Sequence, residues 1–214
     1  MNIYGIYRKV QPYFRSKRWQ HFLKLFHLTE HTHILDVGGM PHGWQQFVPI
    51  PVKVDILNFE PWPEEWEFPE RLAFVKGDGR KLQYQDAQFD IAYSNSVIEH
   101  VGSFEDQRNF AEEIRRVGKG VYVQTPNFWF PIEPHFIAFF IHWLPLRLRK
   151  VLIPLFSYRG WFHKGDPSNM QKTIDEVRLL TFREMKILFP DCEIYREKIL
   201  GLTKSFTAYR RMPE

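Results

Sequence analysis

The stretch His33-Ile34-Leu35-Asp36-Val37-Gly38-Gly39 decides the fold of this chain. Its aliphatic run is typical of a short strand buried inside a parallel sheet. The glycine pair that follows has no Cβ atoms, so the backbone can turn sharply there and approach a ligand closely. A glycine turn after a strand is a weak signal of cofactor binding when it stands alone, and later motifs must support it.

The length and composition indicate one domain in a reducing compartment. The chain has 214 residues, which suits a single domain, residues 1–214, and is too short for two complete ones. Its one cysteine, Cys192, excludes an internal disulfide and indicates a cytoplasmic location. The first 30 residues lack a secretory signal pattern. The longest apolar run, residues 136–144, is far shorter than the roughly 20 residues that cross a bilayer.

The net charge of +4 is unevenly distributed along the chain. Residues 1–29 and 134–165 hold 11 of the 29 basic residues and no acidic one. This asymmetry favours an acidic body with two basic, aromatic segments that face an anionic surface or substrate. The alternative is two ordinary solvated faces. Nucleic acid is disfavoured as a partner, because the basic residues accompany bulky hydrophobes instead of forming a broad stripe.

The order of apolar patterns predicts a sheet with helices on both sides. Strands are predicted at residues 33–38, 52–59, 72–75, 89–93 and 121–124, with a terminal hairpin at 193–199 and 205–210. Helices are predicted at residues 16–28, 44–47, 103–117 and 181–189. We therefore expect an α/β fold with a doubly wound, mostly parallel sheet and a ligand at the carboxyl ends of its strands. Residues 1–30 would form a helical cover on this body.

Three motifs in sequence carry a family resemblance: Ile34–Gly39, Gly77–Leu82 and Phe89–Val101. Together they resemble the class I S-adenosylmethionine-dependent methyltransferases, in particular the small-molecule group similar to the quinone-biosynthesis enzymes. The resemblance covers nearly the whole chain. It implies a Rossmann-like, seven-stranded sheet with an antiparallel last strand, and S-adenosylmethionine bound across its carboxyl edge.

The resemblance implies roles for residues in the first cofactor loop. Asp36 would lie near the methionine part of the cofactor, and Gly38 and Gly39 would form the tight turn against it. The family usually has a further glycine where this chain has Met40. A simple turn is the alternative interpretation of Asp36.

The resemblance also implies cofactor contacts after the next strands. Asn58 occupies the place of an acid that binds the ribose hydroxyls, and an amide can both donate and accept one hydrogen bond there. Glu60 is the alternative for that role. The remaining contacts would come from Asp78, which would meet the adenine amino group, and from Gly79, Ser94 and Asn95. A plain Gly-Asp-Gly turn is the alternative for Asp78.

Methyl transfer from a sulfonium is a direct displacement, so alignment of the reacting atoms can supply about 7 to 11 kcal/mol. A hydroxyl acceptor would gain roughly 10² to 10⁴ in rate from a general base. His100 and His135 are the candidates, with Glu133 orienting His135, and simple packing is the alternative for His100. Some relatives hold a divalent ion beside the Glu-His pair, but Ser96 replaces one expected acid here, so no metal is predicted.

Residues 128–175 form a predicted lid inserted after the fifth strand, and residues 128–163 are rich in aromatic residues. These are Phe136, Phe139, Phe140, Trp143, Phe156, Tyr158, Trp161 and Phe162, interleaved with Arg147, Arg149, Lys150 and Arg159. The composition favours a hydrophobic or lipid-linked acceptor and peripheral contact with a membrane. The alternative is that these aromatic residues close the core around the pocket.

The predicted function is methyl transfer to a small-molecule or lipid-like acceptor, with O-methylation favoured. A non-catalytic cofactor-binding module is one alternative, suggested by Met40 and Asn58. A nucleotide-dependent oxidoreductase is the other, and it is disfavoured because Gly38 and Gly39 lack the three-glycine fingerprint of that class.

Overall fold

A computed structural model provides the structure, which describes residues 3–61, 63, 66–157 and 167–213. The strands are β1 (His33–Val37), β2 (Lys53–Asn58), β3 (Leu72–Lys76), β4 (Phe89–Asn95), β5 (Gly118–Pro126), β6 (Ile132–Glu133), β7 (Ala138–Phe139), β8 (Glu193–Ile199) and β9 (Leu202–Arg210). The helices are α1 (Ile3–Leu25), α2 (Pro41–Phe47), α3 (Phe104–Val117), α4 (Leu146–Phe156), α5 (Pro167–Glu176) and α6 (Phe182–Leu188), with 3₁₀ turns at Ile98–His100 and Ile141–Trp143. Tyr158, Arg159, Trp161 and Phe162 lie outside the described residues.

Seven strands form one sheet in the order β3-β2-β1-β4-β5-β9-β8. The first five are parallel, whereas β9 runs antiparallel to both β5 and β8. This arrangement confirms the predicted fold class, including the antiparallel end. The strand order reverses between β1 and β4, and in doubly wound sheets this reversal opens a crevice at the carboxyl ends of the strands.

Each face of the sheet buries a separate hydrophobic core. Helix α1 places Trp19, Phe22 and Phe26 in one core. On the opposite face, α3 packs Phe110 and Ile114, which are fully buried, against the sheet. The α3 helix begins with the capping box that its sequence predicts, whereas α1 starts earlier than predicted, at Ile3, and continues through Pro12.

The segment between β5 and α6 forms a small third core of its own. The β6–β7 hairpin, the second 3₁₀ turn, α4 and α5 bury an apolar cluster together. Its members are Phe136, Ala138, Ile141, Ile153 and Ile174. In the part of the chain that the structure describes, no helix combines the length and the hydropathy that a membrane span requires.

Candidate functional site

A cavity of about 450 Å³ lies at the carboxyl ends of the parallel strands. Its size falls within the range of small-molecule sites. The predicted site residues Gly38, Asn58, Asp78, Gly79 and His100 all line it. The sequence motifs therefore converge on one cavity at the sheet edge where a ligand was expected.

Two glycines in the cavity wall could not be replaced without strain. Gly38 has a φ of +76°, which L residues rarely adopt, and a Cβ there would approach Val97 to 2.6 Å. A Cβ on Gly79 would lie 2.7 Å from both Phe110 and Val37. Because neither position tolerates a side chain, the backbone itself forms this part of the cavity wall.

Asn58 ties the end of β2 to the first loop. Its Nδ2 donates to the carbonyl oxygen of Gly39 over 3.4 Å, and its Oδ1 accepts from the backbone N–H of Phe59 over 3.0 Å. The amide is half-buried at the cavity edge. An amide serves this position because it must donate to one carbonyl while accepting from one N–H.

Asp78 is held in a fixed orientation by Arg80. The guanidinium donates to both carboxylate oxygens, with Nη2 2.8 Å from Oδ2 and Nε 3.0 Å from Oδ1. Hydrogen bonding from Arg80 lowers the pKa of Asp78 below its ordinary value. Arg80 also reaches Asp106 at 3.2 Å, which ties the cavity wall to the first turn of α3. The carboxylate is therefore ionised and preoriented, with lone pairs left for a ligand amino group.

Asp36 lies behind the cavity wall instead of lining it. Its Oδ2 accepts from Trp44 Nε1 over 2.7 Å, and no partner for its Oδ1 occurs among the described residues. Burial raises the pKa of Asp36 to about 7. A Cβ on Gly39 would lie only 1.7 Å from the Asp36 carboxylate, so the loop passes directly over this side chain. Its predicted place near a methionine group stays a prediction.

Ser94 and Asn95 support the site from outside the cavity lining. Ser94 is fully buried and donates to the Val37 carbonyl over 2.9 Å, while Asn95 accepts from Arg18 over 3.3 Å. The residue that lines the cavity there is Ser96, which the site prediction left out. Its φ of +57° is unusual for serine, and this turn could not be inferred from the sequence.

The three predicted catalytic residues form one hydrogen-bonded chain. His135 Nδ1 lies 2.6 Å from Glu133 Oε1, and His135 Nε2 lies 3.1 Å from His100 Nε2. Glu133 is buried and also accepts from the backbone N–H of Phe136. Burial and the neighbouring His135 lower the pKa of His100 to about 4, so His100 is neutral at pH 7.

The same region contains a set of side chains that could hold a cation. One ligand atom each from Glu99, His100 and His135 lies within 4.8 Å of the others. Glu99 is fully buried, burial raises its pKa, and its Oε2 accepts from Thr125 over 2.9 Å. Carboxylate and imidazole groups are ligand types that zinc uses. The predicted absence of a metal therefore stays a prediction.

A second cavity, of about 280 Å³, lies within the segment that follows β5. Its wall is mixed: seven of its thirteen lining residues are apolar, and the other six are Glu133, His142, Arg149, Arg178, Thr181 and Glu184. His142 is buried and lies 2.7 Å through Nε2 from the Phe128 carbonyl, and no described residue pairs with its Nδ1. Because a carbonyl only accepts, Nε2 carries the proton and Nδ1 presents a lone pair. Glu133, His135 and His100 therefore connect this cavity to the first one.

Comparisons with known proteins add a family match and a shared fold. Residues 56–120 match the family model of a methyltransferase domain, a range that includes Asn58, Asp78 and His100. Among curated proteins, none matches the chain.

Three similar solved structures are informative about the fold. A Haloferax volcanii protein assigned as a methyltransferase, in complex with the Trm112 methyltransferase activator, is 14% identical, with a TM-score of 0.59 over 94% of this chain and 90% of that one. A Rhodobacter sphaeroides protein assigned as a Zn-dependent alcohol dehydrogenase is 10% identical, with a TM-score of 0.58 over 92% and 90%. Phosphoethanolamine N-methyltransferase 2 of Haemonchus contortus, bound to S-adenosyl-L-methionine, is 12% identical, with a TM-score of 0.53 over 82% of this chain and 37% of that one. At these identities the structures show a common fold, and a common fold does not decide an activity.

Proposed function

We propose that this chain is a class I S-adenosylmethionine-dependent methyltransferase that methylates a hydroxyl group of a small acceptor with an apolar body. Lipid-like acceptors are included in this class. The methyltransferase match over residues 56–120 and the order of the seven-stranded sheet support the family. The observation that carries the proposal is the chain of hydrogen bonds from Glu133 through His135 to His100 at the edge of the cofactor cavity.

The residues of the first cavity suit the cofactor. Gly38 brings backbone to the cavity wall, Asn58 offers an amide to ribose hydroxyls, and the Asp78 carboxylate suits an adenine amino group. When bound, S-adenosylmethionine supplies an electrophilic methyl group on a positively charged sulfur. Asp36 would support the loop from behind, and Ser94 and Asn95 would hold the ends of β1 and β4.

His100 and His135 are placed to remove a proton from the acceptor. In this proposal the Glu133 carboxylate oxygen accepts from His135 Nδ1–H, so His135 Nε2 carries no proton and accepts from His100 Nε2–H. This leaves Nδ1 of His100 as the base for the acceptor hydroxyl. The hydroxyl proton of the acceptor would pass to His100 Nδ1, and the Nε2 proton of His100 would pass to His135. His135 would then carry the positive charge beside Glu133.

The second cavity supports an acceptor that has an apolar body and also carries polar groups. Phe136 and Ile153 provide apolar wall, His142 Nδ1 would accept one hydrogen bond, and the Arg149 guanidinium would donate. Burial lowers the pKa of Arg149 below its ordinary value, although the group stays charged. In this proposal residues 128–175 act as the lid, and peripheral membrane contact brings lipid-like acceptors to it.

The proposal also places the protein in the cytoplasm, where the free Cys192 remains reduced. Burial raises the pKa of this thiol to about 12, which keeps it unreactive. A small molecule is the proposed partner in catalysis, and nucleic acid is not proposed.

A methyl-transfer assay with radiolabelled cofactor, run on phenolic and lipid-linked hydroxyl acceptors, tests the proposal. His135→Ala should lower kcat by about 10² to 10⁴ because it removes the final proton acceptor. Its affinity for S-adenosylhomocysteine, measured by calorimetry, should be unchanged. A distant surface variant, His31→Ala, is the matched control, since His31 is exposed. Unaltered kcat in His135→Ala would contradict the proton path, and failure of the unmodified protein to bind cofactor would favour the non-catalytic alternative.

A further inference from the structure

The outer side of the segment after β5 displays a connected cluster of exposed aromatic rings. Trp129, Phe139, Phe140 and Trp143 are 63%, 53%, 49% and 40% exposed. Their rings adjoin one another, with centroids 5.9 Å apart for Trp129 and Trp143 and 5.0 Å apart for Phe140 and Trp143. Contiguous apolar patches of this kind mark interaction sites on protein surfaces.

Helix α4 extends this apolar surface. Leu146, Leu148 and Val151 are 45%, 48% and 60% exposed, whereas Ile153 is buried in the third core. Leu148 and Val151 are three residues apart and share one side of the helix. We call these three residues, together with the four aromatic ones, the aromatic face.

Specific backbone geometry holds the rings outward. Phe140 has a φ of +57° and donates its backbone N–H to the Pro131 carbonyl over 2.7 Å. Ile137 has a φ of +53°, a conformation that is costly for a β-branched residue. Trp143 donates its indole N–H to the Phe128 carbonyl over 2.8 Å. The exposure of these rings is therefore built into the fold.

Cationic side chains lie beside the aromatic face. Arg147 is exposed on α4 between the apolar residues Leu146 and Leu148, and Lys150 follows one turn later, where it pairs with Asp175 at 2.8 Å. The sequence contains no acidic residue from position 134 to position 165. Aromatic rings with flanking cations are typical of surfaces that lie in the headgroup region of a bilayer.

We propose that the aromatic face docks on a membrane surface that contains anionic lipids. This inference deepens the membrane contact of the proposed function and names the surface and the lipid charge. Phe140 and Trp143 would enter the headgroup region, and Arg147 would meet lipid phosphates. A twofold pairing of two copies is less favourable, because it would bring the Arg147 side chains of both copies into one interface, while Asp175 beside the face already pairs with Lys150.

The aromatic face lies directly outside the second cavity. Ile141 and His142 line the second cavity, whereas Phe140 and Trp143, on either side of them in the sequence, are exposed. One short turn thus forms both the cavity wall and the outer surface. An acceptor dissolved in the bilayer would therefore have to cross only this layer to enter the cavity.

Vesicle co-sedimentation tests the inference, with phosphatidylcholine vesicles that contain or lack phosphatidylserine. The full chain should bind the phosphatidylserine vesicles at low salt and lose most binding at high salt. The double variant Phe140→Ser, Trp143→Ser should have at least about tenfold lower affinity for these vesicles, because it loses the apolar burial of two rings. Arg147→Gln should bind about fivefold less, which corresponds to one lost cation near an anionic surface.

The matched control is Ile187→Ser, because Ile187 is 53% exposed on α6, outside the aromatic face, and should not affect binding. S-adenosylhomocysteine affinity reports folding of each variant and tests the cofactor site separately. Absence of vesicle binding by the unmodified chain would overturn the inference. A dimer in light scattering that the Phe140→Ser, Trp143→Ser variant abolishes would also overturn it, since a second copy would then cover the face.

Discussion

Replacement of Asp36 by Asn should remove a pH dependence of stability that the buried carboxyl creates. Burial raises the pKa of Asp36 to about 7 in the folded protein, whereas an unfolded chain gives aspartate a pKa of about 3.9. Between these values the folded state binds a proton that the unfolded state releases. Stability is therefore lost as the pH rises through this window, by about 4 kcal/mol in total for a shift of about three units.

The Asn variant isolates this effect because it keeps the shape and cannot ionise. Its amide oxygen can still accept from Trp44 Nε1, as the carboxylate does at 2.7 Å. We expect the free energy of unfolding of the unmodified protein, minus that of the variant, to fall by about 1.4 kcal/mol per pH unit from pH 5 to pH 7. Urea denaturation at several pH values measures this difference.

The measured quantity is the difference in unfolding free energy between the two proteins, because other groups titrate in the same pH range. Burial lowers the pKa of His142 and His21, so these residues contribute stability that is lost as the pH falls, which is the opposite sign. Both contributions cancel between the two proteins. Trp44→Phe is a second check, because loss of the N–H donor should move the Asp36 transition to higher pH. A difference that stays constant from pH 5 to pH 7 would refute the reasoning, because Asp36 would then be ionised throughout.

Three further outcomes are expected. Gly38→Ala should weaken S-adenosylhomocysteine binding in calorimetry by at least about tenfold, because a Cβ at φ +76° meets Val97; unchanged affinity would place the cofactor elsewhere. Ser103→Ala should lower the free energy of unfolding by about 1 kcal/mol, because its side chain caps α3, and an equal stability would mean that the capping box contributes nothing. Dialysis against EDTA should leave kcat unchanged, because His135 already bonds to His100 and Glu133; activity lost to EDTA and restored by a divalent cation would show a metal at this position.

The sheet could be predicted from the sequence because its strands are short apolar runs bounded by turn residues. The α3 capping box is a local pattern, and the structure shows both of its hydrogen bonds, between Ser103 and Asp106. The terminal hairpin turns at Gly201, whose φ of +84° suits glycine. Strand ends were less predictable: β5 extends from Gly118 to Pro126 because its ends pair with β4 and β9, which lie elsewhere in the sequence.

The sequence predicted which backbone segments line the first cavity, but it did not predict in which direction several of the side chains point. Gly38 and Gly79 line the cavity as expected, since glycines mark the close approaches of the chain. Asp36 is directed toward Trp44, a residue of a different element, and the sequence pattern does not show that pairing. The contact between His100 and His135 depends on how the segment after β5 returns to the sheet, which no local pattern encodes.

The proposed function gives the two cavities separate roles, which separate measurements can resolve. The first cavity is built on the sheet edge from the sequence motifs, and the second is built on the segment after β5, with Glu133, His135 and His100 between them. Changes to Glu133 should therefore alter kcat with little effect on cofactor affinity. Changes to the aromatic face should alter KM for vesicle-borne acceptors alone. Because each kind of variant acts on a different constant, a single set of kinetic measurements separates the proton path from the membrane contact.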